Sequence, residues 1–190
     1  MLRRALFLDR DGVINIDHGY VHRKENFEFI DGIFELVAEA NRAGYVVIVV
    51  TNQAGIGRGY YTEDDFTALM NWVGGEFIAR GGRIDGVYYC PDHPEHGVGK
   101  YRRESNFRKP GPGMLIQAAH DWKIDLPQSV LIGDKLSDME AGRSAEVGTL
   151  LFLSGEACDL VELSRITNLA EAANFLITEC NDGMGGKSSF

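Results

Sequence analysis

Ala5-Leu6-Phe7-Leu8-Asp9-Arg10-Asp11-Gly12 begins with four apolar residues that stop at a carboxylate. An unbroken apolar run of this length reads as a strand buried on both faces, the habit of parallel sheets. Two carboxylates one residue apart then leave that strand, so both can converge on one point while keeping different surroundings. Taken alone, the pair reads equally well as a turn with solvated side chains.

The same pattern recurs downstream. Between Asp31-Gly32 and Gly44, the residues Ile33, Leu36, Val37 and Ala40 stand at helical spacing, and Gly44 sits where a C-terminal cap belongs. Tyr45 to Val50 is a β-branched run halted by Thr51-Asn52-Gln53. Thr62 with Asp65 three residues on resembles a capping box, and Phe66, Leu69, Met70 and Val73 give that helix an apolar face. Gly74-Gly75 weaken it by ~1 kcal/mol per glycine relative to alanine.

Ile84 to Tyr89 predicts a third strand, followed by a long polar stretch from Cys90 to Phe107. A helix over Pro112 to Trp122, a strand over Ser129 to Ile132, a helix over Leu136 to Ala145 and a fifth strand over Thr149 to Leu153 complete the alternation. A weak helix is expected at about 169–177. Strands alternating with helices predict an α/β fold, a Rossmann-like three-layer sandwich with a mostly parallel sheet. Residues 1–180 are expected to form a single domain and 181–190 a flexible tail, with no insertion long enough for a separate lid. In such sheets ligands bind outside the carboxyl ends of the strands. Asp9, Thr51, Cys90 and Asp134 each follow a strand there.

Composition narrows the function classes. The 190 residues are 44% hydrophobic and 25% charged, ordinary for one folded domain. A formal charge of -9 disfavours sequence-independent binding to nucleic acid or to an anionic membrane, so neither is expected as a partner. It leaves room for a small anionic substrate if a metal and a few cations are gathered in one cleft. No apolar run approaches the ~20 residues that cross a bilayer. Met1-Leu2-Arg3-Arg4 lacks the features of a secretory leader, and the three cysteines show no disulfide-framework spacing. A cytoplasmic protein is expected, as a monomer or small homo-oligomer.

Three further segments carry chemistry. Gly133-Asp134-Lys135-Leu136-Ser137-Asp138 places a carboxylate at a strand end and a second one helical turn on. Thr51-Asn52 offers a hydroxyl and an amide before Gly55, Gly57 and Gly59, and Arg108-Lys109-Pro110-Gly111-Pro112 sets cations ahead of a helix. Singly these are a cap, a turn and a surface charge pair. Together with Asp9-Arg10-Asp11-Gly12, in this order and strand context, they resemble the four motifs of the haloacid dehalogenase superfamily of phosphohydrolases.

That resemblance implies a haloacid dehalogenase fold without a large cap domain and a phosphoric monoester hydrolase dependent on Mg²⁺. It implies that Asp9 is the nucleophile and becomes an aspartyl phosphate, and that Asp11 is the general acid and base. Asp9 and Asp134 would hold the metal by their side chains and Asp11 by its backbone carbonyl, while Thr51 and Lys109 grip the phosphoryl oxygens. Asp138 is expected either to act through a metal-bound water, the preferred role, or to orient its helix. The chemistry suits the residue types, because a carboxylate is repelled by a phosphate dianion unless a cation neutralises both.

The resemblance is closer still. Asp9 to Asn15, Asp17-His18-Gly19-Tyr20-Val21, Asn26 to Gly32, Thr51 to Ile56, Tyr88-Tyr89-Cys90-Pro91, Arg108-Lys109-Pro110 and Gly133 to Met139 are similar to the D-glycero-D-manno-heptose 1,7-bisphosphate phosphatases. This implies removal of the 7-phosphate on the route to nucleotide-activated heptose for surface polysaccharide such as lipopolysaccharide or capsule. Substrate contacts would fall on Asp17, His18, Gly19, Tyr20, Asn52, Gln53, Ala54, Arg108 and Lys135, with ordinary loop packing as the other reading of His18 and Tyr20. Arg58, Lys100, Arg102 and Arg103 are candidates for a second phosphate, a solvated basic loop being the commoner explanation. Histidinol-phosphate phosphatases share much of the pattern. A phospho-accepting receiver-like module is the alternative of another class, though receivers carry the accepting Asp on a middle strand.

Many members of that family hold zinc after the third strand through Cys-x-His and Cys-x-Cys. Here Cys90 remains, but Asp92, Ser105 and Phe107 stand at the other positions. Cys90, His93 and His96 fall short of the about four N or S ligands a structural zinc takes. No structural zinc is expected, and Phe107 is expected to pack inward and order the loop instead.

Overall fold

β1 (Ala5–Leu8) is buried along its whole length and runs down the middle of a six-stranded sheet of order β3-β2-β1-β4-β5-β6. The computed structural model describes residues 2–154 and 164–184. Every strand pair is parallel: β1 lies beside β2 (Val46–Asn52) and β4 (Val130–Gly133), β3 (Gly86–Cys90) flanks β2, and β5 (Thr149–Leu153) and β6 (Ser164–Ile166) extend the other side. The register sets Leu8 opposite Val49 on one side and Ile132 on the other, so β2 runs three residues and β4 one residue past the end of β1.

Alternation along the strands divides two cores. Leu6, Leu8, Val47 and Val49 face a layer of α1 (Ile33–Arg42), α3 (Glu63–Ala79) and α6 (Leu169–Met184), through Leu36, Phe66, Phe77 and Leu176. Ala5, Phe7, Ile48 and Val50 face α4 (Gly113–Trp122) and α5 (Leu136–Ser144), through Met114, Leu115 and Met139. Each such side chain contributes about 1.5–3 kcal/mol on full burial, which anchors the floor from which the site residues project.

The Thr62 capping box is present, and α3 continues through Gly74-Gly75. The helix from Ile33 ends at Arg42 with Gly44 left-handed beyond it. Two elements depart from the sequence reading. A single turn, α2 (Ala54–Gly57), follows β2, too short for periodicity to reveal. The strand β6, Ser164-Arg165-Ile166, has too little apolar character to register as one. α6 extends to Met184, and residues 185–190 of the expected tail lie outside the described residues. No described helix is long and apolar enough to cross a membrane.

Helices on both faces leave the carboxyl edge of the sheet open. From β1 the chain crosses to β2 on one side, and β4 lies on the other. Crossovers diverge there, and a crevice forms between the connecting loops.

Candidate active site

Asp9 follows β1, Thr51 is the penultimate residue of β2, and Asp134 follows β4. The strand ends bring these groups to one place. Carboxylate oxygens of Asp9, Asp134 and Asp138 lie within 4.8 Å of one another, and among the described residues this is the grouping able to hold a metal ion. Lys109 enters from the segment before α4. Its Nζ lies 2.8 Å from Asp9 Oδ1 and 2.6 Å from Asp138 Oδ1, and donates to the Val50 carbonyl at 2.9 Å.

Asp138, expected to act at one remove, thus sits inside the cluster. It also accepts from the Lys135 backbone N–H at 3.0 Å and so caps α5, which fits the helix-orienting reading too. The chain has to pass very close to these carboxylates. A Cβ on Gly133 would lie 2.3 Å from Asp138 Cβ. A Cβ on Gly12, whose φ is +96°, would lie 2.1 Å from Asp134 Oδ2. Only glycine serves at these positions.

Three carboxylates against one ammonium leave two negative charges in a largely buried space. Burial pushes the Asp134 carboxyl up to about 7, with Asp9 and Asp138 adding to the effect and Lys135 opposing it. Burial raises Asp9 as well, against Lys109. Burial alone would lower the Lys109 pKa, but Asp9 and Asp138 outweigh it and hold the group above its ordinary value. Asp134 Oδ1 is buried with no hydrogen-bond partner. An all-oxygen set with two uncompensated charges and an orphaned oxygen suits a hard divalent cation such as magnesium.

Asp11 is held apart from this cluster. Its Oδ1 accepts from Arg10 Nη2 at 2.6 Å and Asn15 Nδ2 at 3.0 Å, and its Oδ2 from Gln53 Nε2 at 3.2 Å. Arg10 is fully buried and also donates to the Val21 carbonyl at 2.7 Å. The two aspartates one residue apart therefore differ in surroundings: one lies against an ammonium, the other is bracketed by donors at the edge of the cavity.

The cavity above this floor measures about 390 Å³ and is bordered by Asp11, Asp17, Tyr20, Arg108, Lys135 and Ser137 among others. Gly19 and Ala54 also line it. Lys135 Nζ meets Asp17 Oδ2 at 3.0 Å across its mouth. Of the expected substrate contacts, His18 alone does not border this cavity. His18 turns away, 3.3 Å from Glu28, into an adjoining hollow of about 600 Å³. Asn52 borders the cavity, but its amide exchanges two 3.0 Å bonds with the Lys109 backbone and fixes that segment to β2. Gln53 also borders the cavity, yet its Nε2 donates to Thr51 Oγ1 at 2.8 Å as well as to Asp11. Of the basic candidates for a second phosphate, Arg103 pairs with Asp92 at 3.0 Å and Lys100 with Glu63 at 3.6 Å.

The 90–107 loop does not hold itself together by Phe107, which is exposed. Asp92 is buried and carries the load instead, through Arg103 and through its carbonyl, which accepts from Arg108 Nη1 at 3.3 Å. With Asp92 ion-paired and Phe107 lacking any donor atom, these positions do not fit a zinc ion.

Arg10, Asn15 and Tyr61 were missed in the sequence. Arg10 stood as a spacer between two aspartates, and the one available signal was its alternation with Asp9 along the departing strand.

A family model described as HAD-hydrolase-like matches residues 106–174. The D-glycero-alpha-D-manno-heptose-1,7-bisphosphate 7-phosphatase of Burkholderia mallei is 58% identical over 172 residues, covering 90% of this chain and 88% of its own. The beta-named 7-phosphatase of Escherichia coli K12 is 49% identical over 145 residues, 76% of each chain. Among solved structures, the D,D-heptose 1,7-bisphosphate phosphatase of B. bronchiseptica, complexed with magnesium and phosphate, superposes with a TM-score of 0.79. It is 26% identical and covers 93% of this chain and 99% of that one. A putative HAD-like phosphatase from Mesorhizobium loti superposes with a TM-score of 0.85 at 34% identity, covering 99% of this chain and 90% of its own.

Proposed function

This chain belongs to the D-glycero-D-manno-heptose-1,7-bisphosphate 7-phosphatase family of haloacid dehalogenase-like hydrolases, and we propose that it removes the 7-phosphate of that sugar bisphosphate through an aspartyl phosphate on Asp9. The observation that carries the reading is the buried grouping of Asp9, Asp134 and Asp138 around Lys109, with Asp11 standing apart. A cavity of about 390 Å³ suits a small sugar phosphate, and Arg108 and Lys135 supply its positive border. The cytoplasm is the compartment that fits a nucleotide-sugar route.

Asp9 would attack phosphorus as the bond to the sugar oxygen breaks, and Asp11 would protonate that oxygen as it leaves. A water then attacks the aspartyl phosphate, Asp11 takes its proton, and phosphate departs with Asp9 restored. Magnesium, held by the Asp9 and Asp134 carboxylates and the Asp11 carbonyl, would supply the positive charge that lets a carboxylate approach a phosphate dianion. Thr51 accepts from Gln53, which leaves its hydroxyl proton free for a phosphoryl oxygen. All three Lys109 donors are engaged, so gripping the phosphoryl group means exchanging one of those partners.

Phosphate release is to be measured from both anomers of the heptose bisphosphate and from histidinol phosphate, with and without Mg²⁺. Fast release from a heptose bisphosphate that stops on chelation is expected. Faster release from histidinol phosphate, or turnover indifferent to chelation, would overturn the reading.

A further inference from the structure

Tyr61 lies outside every motif the sequence singled out, yet it is buried beside the site. Its hydroxyl donates to Gln53 Oε1 at 2.6 Å. Gln53, 1% exposed, passes its two amide protons to Thr51 Oγ1 at 2.8 Å and Asp11 Oδ2 at 3.2 Å. The amide orientation is set by this network. Turned over, it would press its oxygen against the Asp11 carboxylate and its NH₂ against the tyrosine proton. Burial raises the Tyr61 phenol to about 12, so it remains a donor at neutral pH.

The tyrosine is itself fixed. Its ring stacks on His22 with centroids 4.9 Å apart and planes 7° from parallel. It also packs closely on Gly55, where a Cβ would lie 2.2 Å from Tyr61 Cε1.

We propose that Tyr61 and Gln53 are positioning residues, which hold the Asp11 Oδ2 oxygen relative to the Thr51 hydroxyl while Arg10 and Asn15 hold Oδ1. The argument rests on the reading of Asp11 as general acid. Without the tyrosine proton Gln53 has no partner fixing its oxygen, and its amide is free to rotate away from both. A misplacement of about 1 Å at a reacting group costs on the order of 10²-fold in rate, so a partial loosening is expected to cost less.

Tyr61→Phe keeps both ring contacts and removes one oxygen. The test compares kcat/KM for heptose bisphosphate with that for p-nitrophenyl phosphate, whose phenolate leaves without protonation. Loss of acid placement falls on the sugar substrate, whereas loosening of the fold or of Thr51 falls on both. Tyr61→Phe is expected to lower the sugar value about tenfold and the aryl value about threefold or less, with KM for the sugar little changed. Gln53→Leu is expected to show the same bias more strongly.

Equal losses on the two substrates, or no loss on either, would overturn the proposal. Asp11→Asn separates it from the reading beneath. If Asp11→Asn loses the two substrates equally, Asp11 is not the acid. If Asp11→Asn shows the bias and Tyr61→Phe does not, only the positioning role fails. A readout without turnover is the Gln53 side-chain NH₂ resonance of the metal-free protein. Slow hydrogen exchange that quickens in Tyr61→Phe is expected, and an unchanged rate would contradict the proposal.

Discussion

At the floor of the site, Asp9, Thr51, Lys109 and Asp138 are each at most 5% exposed and hold one another at 2.6–2.8 Å or stand on strands with both neighbours paired. At the rim, Tyr20 is 44% exposed, and loop residues are tied by a few exposed contacts, such as Asp17 to Lys135 and to the Gly19 N–H, and His18 to Glu28. Buried groups with several partners have one arrangement open to them. Exposed rim groups, with few partners and water as a competitor, have many. The difference predicts that chemistry resides in the floor and substrate choice in the rim.

The contrast is open to breaking, first at its strongest point. Asp9→Asn is expected to reduce kcat by on the order of 10³-fold or more, since it removes the nucleophile while keeping its shape. Turnover within tenfold of the parent in steady-state assays would end the case for the floor. Lys109→Met comes next. It leaves Asp9 and Asp138 buried without their cation, an effect of about 3–5 kcal/mol on the metal-free protein by thermal or urea unfolding, together with roughly 10²–10³-fold in kcat.

The acidic cluster gives a pH effect whose sign is fixed. Asp134 moves from an ordinary 3.8 to about 7 on folding, so between these values the folded chain binds more protons than the unfolded one. The stability that protonation gives the metal-free protein is therefore lost as pH rises through about 7. The melting temperature is expected to fall from pH 5 to pH 8 without metal and to recover at pH 8 on adding Mg²⁺. A metal-free melting temperature that rises over this range would contradict the charge balance drawn for the site.

Substitutions at the rim are expected to have smaller effects. Asp92→Asn should loosen the 90–107 loop by about 1 kcal/mol, because Arg103 is largely exposed and such pairs are weak. This is to be read as a lower melting temperature with kcat nearly intact. His18→Ala, whose side chain points out of the cleft, is expected to alter kcat/KM by roughly twofold, the effect of about 0.5 kcal/mol. A loss above tenfold would put His18 back on the substrate.

The division between floor and rim also explains what the sequence made legible. Asp9, Thr51 and Asp134 could be read because an apolar run that stops at a polar residue has one meaning in a parallel sheet, whatever surrounds it. The capping box at Thr62 is likewise local. The contacts of Arg10, Asn52 and Gln53 were not legible because their partners lie elsewhere in the chain: Val21 for Arg10, Lys109 for Asn52, Tyr61 for Gln53. No spacing encodes such pairings. Phe107 was expected to pack inward and order the loop in place of a zinc site, but Asp92 and Arg103 hold that loop.

The central claim is that Asp9 takes the phosphoryl group. Acid-quenching the enzyme during turnover of the heptose bisphosphate with Mg²⁺, followed by peptide mass spectrometry, tests it most directly. One phosphoryl group on the Asp9 carboxylate, absent from Asp9→Asn, is the expected result. A phosphoryl group on any other residue, or transfer of phosphate to water with inversion at phosphorus, would contradict it.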